Sequence, residues 1–243
     1  MTKLTAERMR ENVAQVRARI EAAAKRAGRD PKEIALVGVS KVQPLASIYQ
    51  AMDCGISIFG ENRVQEREEK REKWNPAETR RPAWHMIGHL QRNKARRALE
   101  LFDCIQSVDG IELAETLQRI LGERETMAGE RSPYPIYVEV NTSGEASKHG
   151  VAPQACPALV EDILERCGRL SLRGLMTVGP LTEDEAAIRR SFAMLRDLSE
   201  TLRAAFPSSG FGLSMGMSGD FETAIEEGST LVRVGTGIFG PRG

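Results

Sequence analysis

Apolar and polar positions along this chain follow two periods, one typical of helices and one typical of buried strands. In residues 4–27 the apolar side chains recur every three or four residues and Gly28 follows, which predicts an amphipathic helix that ends there. Helical patterns recur later, for example at residues 45–55, 111–125, 158–168 and 185–206. Eight short apolar or β-branched runs alternate with helical stretches, at residues 34–40, 56–60, 83–88, 104–109, 135–141, 172–179, 211–216 and 231–235.

This alternation predicts parallel strands joined by crossover helices. Eight repeats favour a closed barrel over an open sheet, and 243 residues suit one such barrel. We therefore predict an α/β fold, a single (β/α)8 TIM barrel with an extra N-terminal helix, in one domain spanning residues 1–243. Residues 74–83 are irregular and predict a surface loop. In barrels of this type the chemistry lies at the carboxyl ends of the strands.

Composition narrows the classes of partner. The 34 basic residues equal the 34 acidic ones, so the chain has no overall field that would attract nucleic acid or an anionic membrane. Its four cysteines form no CxxC pair, and no apolar run resembles a signal peptide or a membrane span. We expect a cytoplasmic protein, and the lack of an evident exposed apolar stripe favours a monomer.

One lysine stands out among the eight in the chain. Lys41 directly follows the apolar run that opens "ALVGVSKVQP" at residue 35. It either ends a buried strand and extends its ammonium group into solvent, or it is placed at the barrel mouth to do chemistry.

The last two strand ends are rich in glycine and hydroxyl groups. Gly235, Thr236 and Gly237 follow the eighth run, and Ser214, Gly216, Ser218 and Gly219 lie at the end of the seventh. Barrels often bind phosphate between these two loops, because glycine lets backbone N–H groups approach closely. Ordinary tight turns would have the same composition.

Arg233 is unusual because it interrupts an apolar strand, "LVRVG". A buried guanidinium must be paired, so Arg233 either donates to a ligand inside the barrel or forms a salt bridge with a neighbouring strand, for instance with Glu139.

Other polar residues at predicted strand ends are ambiguous. Asn62 could cap a helix or donate to a ligand. His85 and His89 straddle a strand end, without the glutamate of a zinc-binding helix, so we expect no metal site from this pair. Lys148 is most simply a mobile surface lysine.

Together, these features suit a ligand with an aldehyde at one end and a phosphate at the other. Lysine forms Schiff bases with carbonyls when desolvation or nearby cations lower its pKa. Pyridoxal phosphate fits this description, and so does a phosphosugar bound by an aldolase.

The chain also resembles a known family over nearly its whole length. The resemblance is carried by "VGVSKVQP", "FGENRVQE", "WHMIGHLQRNK", "VNTSGEASKHG", "LRGLMTVG" and "LSMGMSGDFETAIEEGSTLVRVGTGIFGPR", which look like successive motifs of the pyridoxal phosphate homeostasis proteins. That family has an alanine-racemase-like barrel. The resemblance implies that Lys41 holds pyridoxal 5'-phosphate (PLP) as a Schiff base and that Arg233 faces its pyridine nitrogen. It further implies that the phosphate is bound by Ser218, Gly235 and Thr236, and that Asn62, His85 and Met215 line the pocket.

The function that this resemblance implies is intracellular homeostasis of a vitamin B6 cofactor, with PLP-dependent apo-enzymes as possible recipients. An arginine at the pyridine nitrogen keeps that nitrogen unprotonated, which makes the cofactor a poor electron sink. Racemases of this fold add a tyrosine from a second domain, whereas this chain has only Tyr49, Tyr134 and Tyr137. We therefore expect a binding protein without strong turnover, and the alternative is a PLP-dependent amino-acid racemase.

Overall fold

Eight parallel strands form a closed barrel in sequence order. The computed structural model describes residues 5–128 and 132–241. The strands close in the order β1 to β8, and β8 pairs with β1. They are β1 Ala35–Val39, β2 Ile58–Glu61, β3 Ala83–Met86, β4 Cys104–Val108, β5 Tyr134–Glu139, β6 Leu170–Met176, β7 Gly212–Ser214 and β8 Leu231–Val234. This confirms the predicted (β/α)8 barrel and all eight predicted strands.

Helices surround the barrel. They are α1 Ala6–Arg26, α2 Leu45–Asp53, α3 Val64–Glu72, α4 Ala95–Leu101, α5 Ile111–Ala128, α6 Cys156–Arg166, α7 Glu185–Ala205, α8 Phe221–Glu226 and α9 Thr236–Phe239. Short 3₁₀ turns lie at Pro31–Glu33, Arg92–Lys94 and Pro153–Ala155.

The extra N-terminal helix, α1, covers the last part of the barrel. The Thr5 hydroxyl caps its start by accepting from the amide of Arg8, and Gly28 ends the segment with a φ of +66°. Its buried face packs against α8 and α9, where the Asn12 side chain donates to the carbonyl of Ile238 (2.9 Å). Helix α1 therefore fixes the segment that follows β8.

The strands are apolar on both faces, as expected of a parallel sheet that is covered by helices. Polar side chains interrupt this interior at a few buried positions, among them Glu61, Gln106, Glu139, Ser214 and Arg233. Buried polar groups cost free energy unless they are hydrogen-bonded, so their partners show where the barrel has been adapted for something other than packing.

Across residues 5–128 and 132–241, no helix has the length and apolar character needed to cross a bilayer. The predicted loop at 74–83 is largely exposed and ends where β3 begins. All four cysteine thiols are unpaired.

Candidate functional site

Lys41 lies two residues beyond the end of β1, at the barrel mouth, and its side chain is partly buried. The next strand in the closed sheet on one side is β8, where Val37 of β1 pairs with Arg233. The barrel closure thus brings Lys41 and Arg233 to neighbouring strands although they are far apart in the sequence.

Lys41 follows a buried polar cluster formed by Ser40, Glu61 and Lys70. The Ser40 hydroxyl donates to Glu61 Oε1 (2.7 Å), and Lys70 Nζ donates to the Ser40 carbonyl (2.7 Å) and to Glu61 Oε1. Ser40 and Glu61 have no exposed surface. Burial raises the pKa of Glu61, and the charge and hydrogen bonds of Lys70 and the Ser40 hydroxyl oppose that rise. The cluster ties β1, β2 and α3 together immediately before the lysine.

Val42, the residue after Lys41, adopts a left-handed backbone conformation with a φ of +58°. This conformation is unfavourable for a β-branched side chain, and Val42 is 68% exposed, so packing does not offset the strain.

Replacing Val42 with asparagine is expected to raise the free energy of unfolding by about 1 kcal/mol, because asparagine tolerates this conformation. The amide of Val42, which donates to Glu66 Oε2, is retained in the variant. Urea unfolding measures the change, and Val42→Ile, which keeps the β-branch, is the matched control with no expected gain. A Val42→Asn variant less stable than the wild type would contradict the assigned strain.

Arg233 is buried inside the barrel and is held by two hydrogen bonds. Its Nη1 donates to the Ser214 hydroxyl (2.6 Å) and its Nη2 to the Thr177 carbonyl (2.7 Å). Within the described residues Arg233 forms no salt bridge, so the alternative of an ion pair with Glu139 is not what holds it. Burial lowers the pKa of Arg233 to about 10, which leaves a cation at neutral pH.

A chain of hydrogen bonds runs from Arg233 across the barrel to His85. Ser214 Oγ donates to Gln106 Oε1 (2.6 Å), and Gln106 Nε2 lies 2.6 Å from His85 Nδ1. These residues belong to β8, β7, β4 and β3.

The direction of this chain follows from the orientation of the Gln106 amide. Its Oε1 can only accept, so the Ser214 hydroxyl donates to it and accepts from Arg233 Nη1. Gln106 then presents its NH₂ group to His85 Nδ1, which accepts. His85 is therefore neutral, with its proton on Nε2, and burial lowers its pKa to about 4.

Glu139 at the end of β5 is a second buried acid near the mouth. Burial and the charge of Asp109 raise its pKa to about 7, whereas Arg233 lowers it. Its Oε2 is buried and has no hydrogen-bond partner in the described part of the chain. This carboxyl oxygen is available to a ligand or an ordered water at the mouth.

The turns after β7 and β8 meet at the mouth, as the sequence predicted. The Ser218 Oγ accepts from the amides of Gly235 and Gly237, each at 3.2 Å. Gly216, with a φ of +93°, turns the chain after β7, and its carbonyl accepts from the Arg233 amide (2.9 Å). Thr236 is exposed at the start of α9. The arrangement offers hydroxyl and backbone donors close to the strand that carries Arg233.

The other predicted site residues differ in accessibility. Asn62 lies between β2 and α3 and is partly exposed, and its side chain does not cap α3, which begins after Arg63 without a side-chain cap. Met215 has no exposed surface and belongs to the hydrophobic core, so its role as a pocket residue stays a prediction. Lys148 is not the mobile surface lysine expected: its Nζ donates to Glu145 Oε1 and to the Gly179 carbonyl, both at 2.7 Å.

The tyrosines lie away from the mouth. The Tyr49 hydroxyl accepts from the amide of Asn75, and the Tyr134 hydroxyl donates to the Phe102 carbonyl, both in segments that lead into strands. The Tyr137 hydroxyl lies beside Gly212, the first residue of β7. All three hydroxyl groups are therefore at the amino ends of the strands, opposite Lys41.

Comparisons with known proteins agree with this geometry. Residues 7–243 match the family described as alanine racemase, N-terminal domain. The pyridoxal phosphate homeostasis protein of Pseudomonas aeruginosa is 41% identical over 96% of this chain and 95% of its own. The structure of PipY from Synechococcus elongatus with PLP bound is 34% identical, with a TM-score of 0.80 over 96% of this chain and 100% of that one.

A more distant likeness shows the fold alone. An alanine racemase from Clostridium difficile has a TM-score of 0.73 at 14% identity, and this chain covers only 57% of it. The identity of about 40% over the full length is found with the homeostasis protein, and PipY shares the barrel over its whole length. The chain belongs to the alanine racemase N-terminal domain family and, within it, to the pyridoxal phosphate homeostasis proteins.

Proposed function

We propose that this protein binds PLP and serves its homeostasis inside the cell, as a binding protein without strong catalytic turnover. The observation that carries the proposal is the closure of the barrel, which sets the strand before Lys41 beside the strand that bears Arg233 and leads to Gly235 and Thr236. A relative with 34% identity, PipY, is described with PLP bound.

The residues present suit this cofactor. PLP supplies an aldehyde, with which a primary amine forms a Schiff base, and a phosphate. Lys41 is the amine that we assign to the aldehyde. Ser218, Gly235 and Thr236 are the donors that we assign to the phosphate, because the Ser218 hydroxyl and the glycine amides already converge after β7 and β8.

Arg233 and His85 set the proton positions in this interior. The two hydrogen bonds of Arg233 use two of its five N–H groups, which leaves donors for a ring nitrogen. A permanent cation at that position disfavours a second proton on the ring. His85, neutral through its contact with Gln106, presents an N–H group rather than a charge, and Asn62 adds an amide at the rim.

The absence of strong turnover is supported by the positions of the tyrosines. Racemases of this fold use a tyrosine as a second acid–base group close to the reacting carbon. The hydroxyl groups of Tyr49, Tyr134 and Tyr137 lie at the opposite end of the barrel. We propose that the chain is one PLP-binding domain that acts as a monomer and passes its cofactor to PLP-dependent apo-enzymes. Its four unpaired thiols support a reducing, cytoplasmic location.

The assignment is tested by loading the purified protein with PLP, reducing it with borohydride and mapping the modified peptide. We expect visible absorbance of the bound cofactor and a reduced adduct on Lys41. Lys41→Arg should lose the adduct, whereas Lys148→Arg, the matched control, should keep it.

Two outcomes would contradict the proposal. An adduct that maps to Lys148 in the wild type would remove Lys41 from its role. Robust turnover of an amino acid from a panel of L-isomers, lost in Lys41→Ala, would favour the racemase alternative over a binding protein.

A further inference from the structure

Three side chains with metal-ligand atoms lie together at the rim of the barrel. His89 follows β3, Asp109 follows β4 and His149 lies in the loop after β5, so three successive strand-end loops each supply one residue. One ligand atom from each residue lies within 4.8 Å of the other two. None of the three is among the residues assigned to PLP, and His89 lines the same surface pocket as Asn62.

Two contacts hold His89 within the cluster. Its Nδ1 lies 3.2 Å from Asp109 Oδ2, and its ring stacks on that of His149 with centroids 3.9 Å apart and planes inclined by 11°. Parallel rings direct their lone pairs into parallel planes, so binding one ion requires one ring to tilt. His149 is exposed at the end of a loop and has room for that movement.

The backbone on either side of His149 is anchored. Lys148 Nζ donates to the Gly179 carbonyl, and the Asn141 side chain donates to the Lys148 carbonyl (3.3 Å). Gly150 has a φ of +109°, and its Cα packs so closely on the chain that a Cβ would lie 2.7 Å from the amide of Asn141. The position of His149 over the rim is thus fixed at the backbone while its ring can turn.

We propose that His89, Asp109 and His149 form a binding site for a divalent transition-metal ion such as Zn²⁺, Co²⁺ or Ni²⁺. Two imidazoles and one carboxylate select such ions over Mg²⁺ and Ca²⁺, which prefer sites made of oxygen ligands alone. Metal–ligand distances of about 2.0–2.2 Å place tetrahedral ligand atoms about 3.3–3.6 Å apart. The 3.2 Å between His89 Nδ1 and Asp109 Oδ2 already suits one ion, and His149 completes the site when its ring tilts. Solvent occupies the remaining positions of the ion, because His89 and His149 are exposed.

This proposal does not depend on the proposed function, and it departs from the sequence-based expectation of no metal. That expectation considered His85 with His89, four residues apart in the sequence. The structure instead pairs His89 with a histidine 60 residues later, and His85 is engaged with Gln106.

The test is a titration of full-length, untagged protein, treated with a chelator and free of PLP, with Zn²⁺ in a calorimeter and with Co²⁺ by visible spectroscopy. We expect one equivalent to bind, with shifts of the His89 and His149 imidazole resonances in NMR spectra. Mg²⁺ should give no heat at the same concentration.

Variants separate this site from weak surface binding. His149→Ala alters an exposed side chain, and Asp109→Asn keeps the shape of the ligand; each should weaken Zn²⁺ binding at least about tenfold, since even outer-shell changes cost about 10–100-fold. Glu112→Gln, on the same rim but outside the three ligands, should bind as the wild type does. Undiminished binding in both ligand variants, or no binding at micromolar Zn²⁺, overturns the site.

Discussion

Replacing Lys70 with methionine is expected to lower the free energy of unfolding by about 3–5 kcal/mol, because it leaves the Glu61 carboxylate buried without its cation. Lys70 is 8% exposed and Glu61 is completely buried. The change also removes the donor to the Ser40 carbonyl, directly before Lys41. Urea denaturation at neutral pH measures the loss.

The pH dependence of this loss has a definite sign. The pKa of Glu61 is raised in the folded state. Its contribution to stability is therefore fully present at pH values below the ordinary pKa of a carboxyl group and is lost as the pH rises through the pKa of the folded state. Without Lys70 that pKa rises further. The deficit of Lys70→Met relative to the wild type should therefore be small in acid and grow toward neutral pH.

A second substitution provides the control for Lys70→Met. Adding Glu61→Gln removes the charge that the variant leaves unpaired, so the double variant should recover most of the lost stability at neutral pH. A Lys70→Met variant within about 1 kcal/mol of the wild type, with no change on adding Glu61→Gln, would show that the pair is not ionised.

The second large effect is expected at Gln106. Gln106→Glu replaces the donor to His85 Nδ1 with a carboxylate, which can only accept, so His85 must carry a proton on Nδ1. A carboxylate in hydrogen-bonding contact should raise the pKa of His85 from about 4 by about 1–3 units. NMR spectra of the ¹⁵N-labelled protein without cofactor, recorded as a function of pH, measure both the pKa of His85 and the nitrogen that carries its proton.

Gln106→Met is the matched control for this experiment. It removes the donor without adding a charge, so burial should keep the pKa of His85 low while its proton is no longer confined to Nε2. Equal pKa values of His85 in the two variants, or a wild-type protein with the His85 proton on Nδ1, would contradict the assigned direction of the hydrogen bonds from Ser214 through Gln106 to His85. Gln106→Met adds no buried charge, so the position of the His85 proton can still be measured in this variant if Gln106→Glu does not fold.

The barrel fold and the residues at its mouth were predictable because they follow from the order of strands and helices along the chain. Alternating strands and helices predict the barrel, and a residue just past a strand end, such as Lys41, must then lie at the mouth. The same reasoning predicted that the turn containing Ser218 lies beside the turn containing Gly235. These predictions need neither the register of the sheet nor the direction of a side chain.

The interior contacts were not predictable, because they depend on register. Gln106 and Ser107 are adjacent polar residues in β4 and both are fully buried, so the sequence does not indicate which one reaches His85. Ser214, expected among the turn hydroxyls, instead links Arg233 to Gln106. Lys70 lies in a run of charged residues typical of a solvated helix, and only its contact with Glu61 distinguishes it.

The pairing of β1 with β8 also determines when the site forms during synthesis. Lys41 and Arg233 are 192 residues apart in the sequence, so their approach is among the last and entropically most costly contacts of folding. A growing chain exposes Lys41 early but has no neighbouring β8 until the last strand is made. A ligand that contacts both residues therefore stabilises only the closed barrel, and its concentration shifts the equilibrium of that final closure.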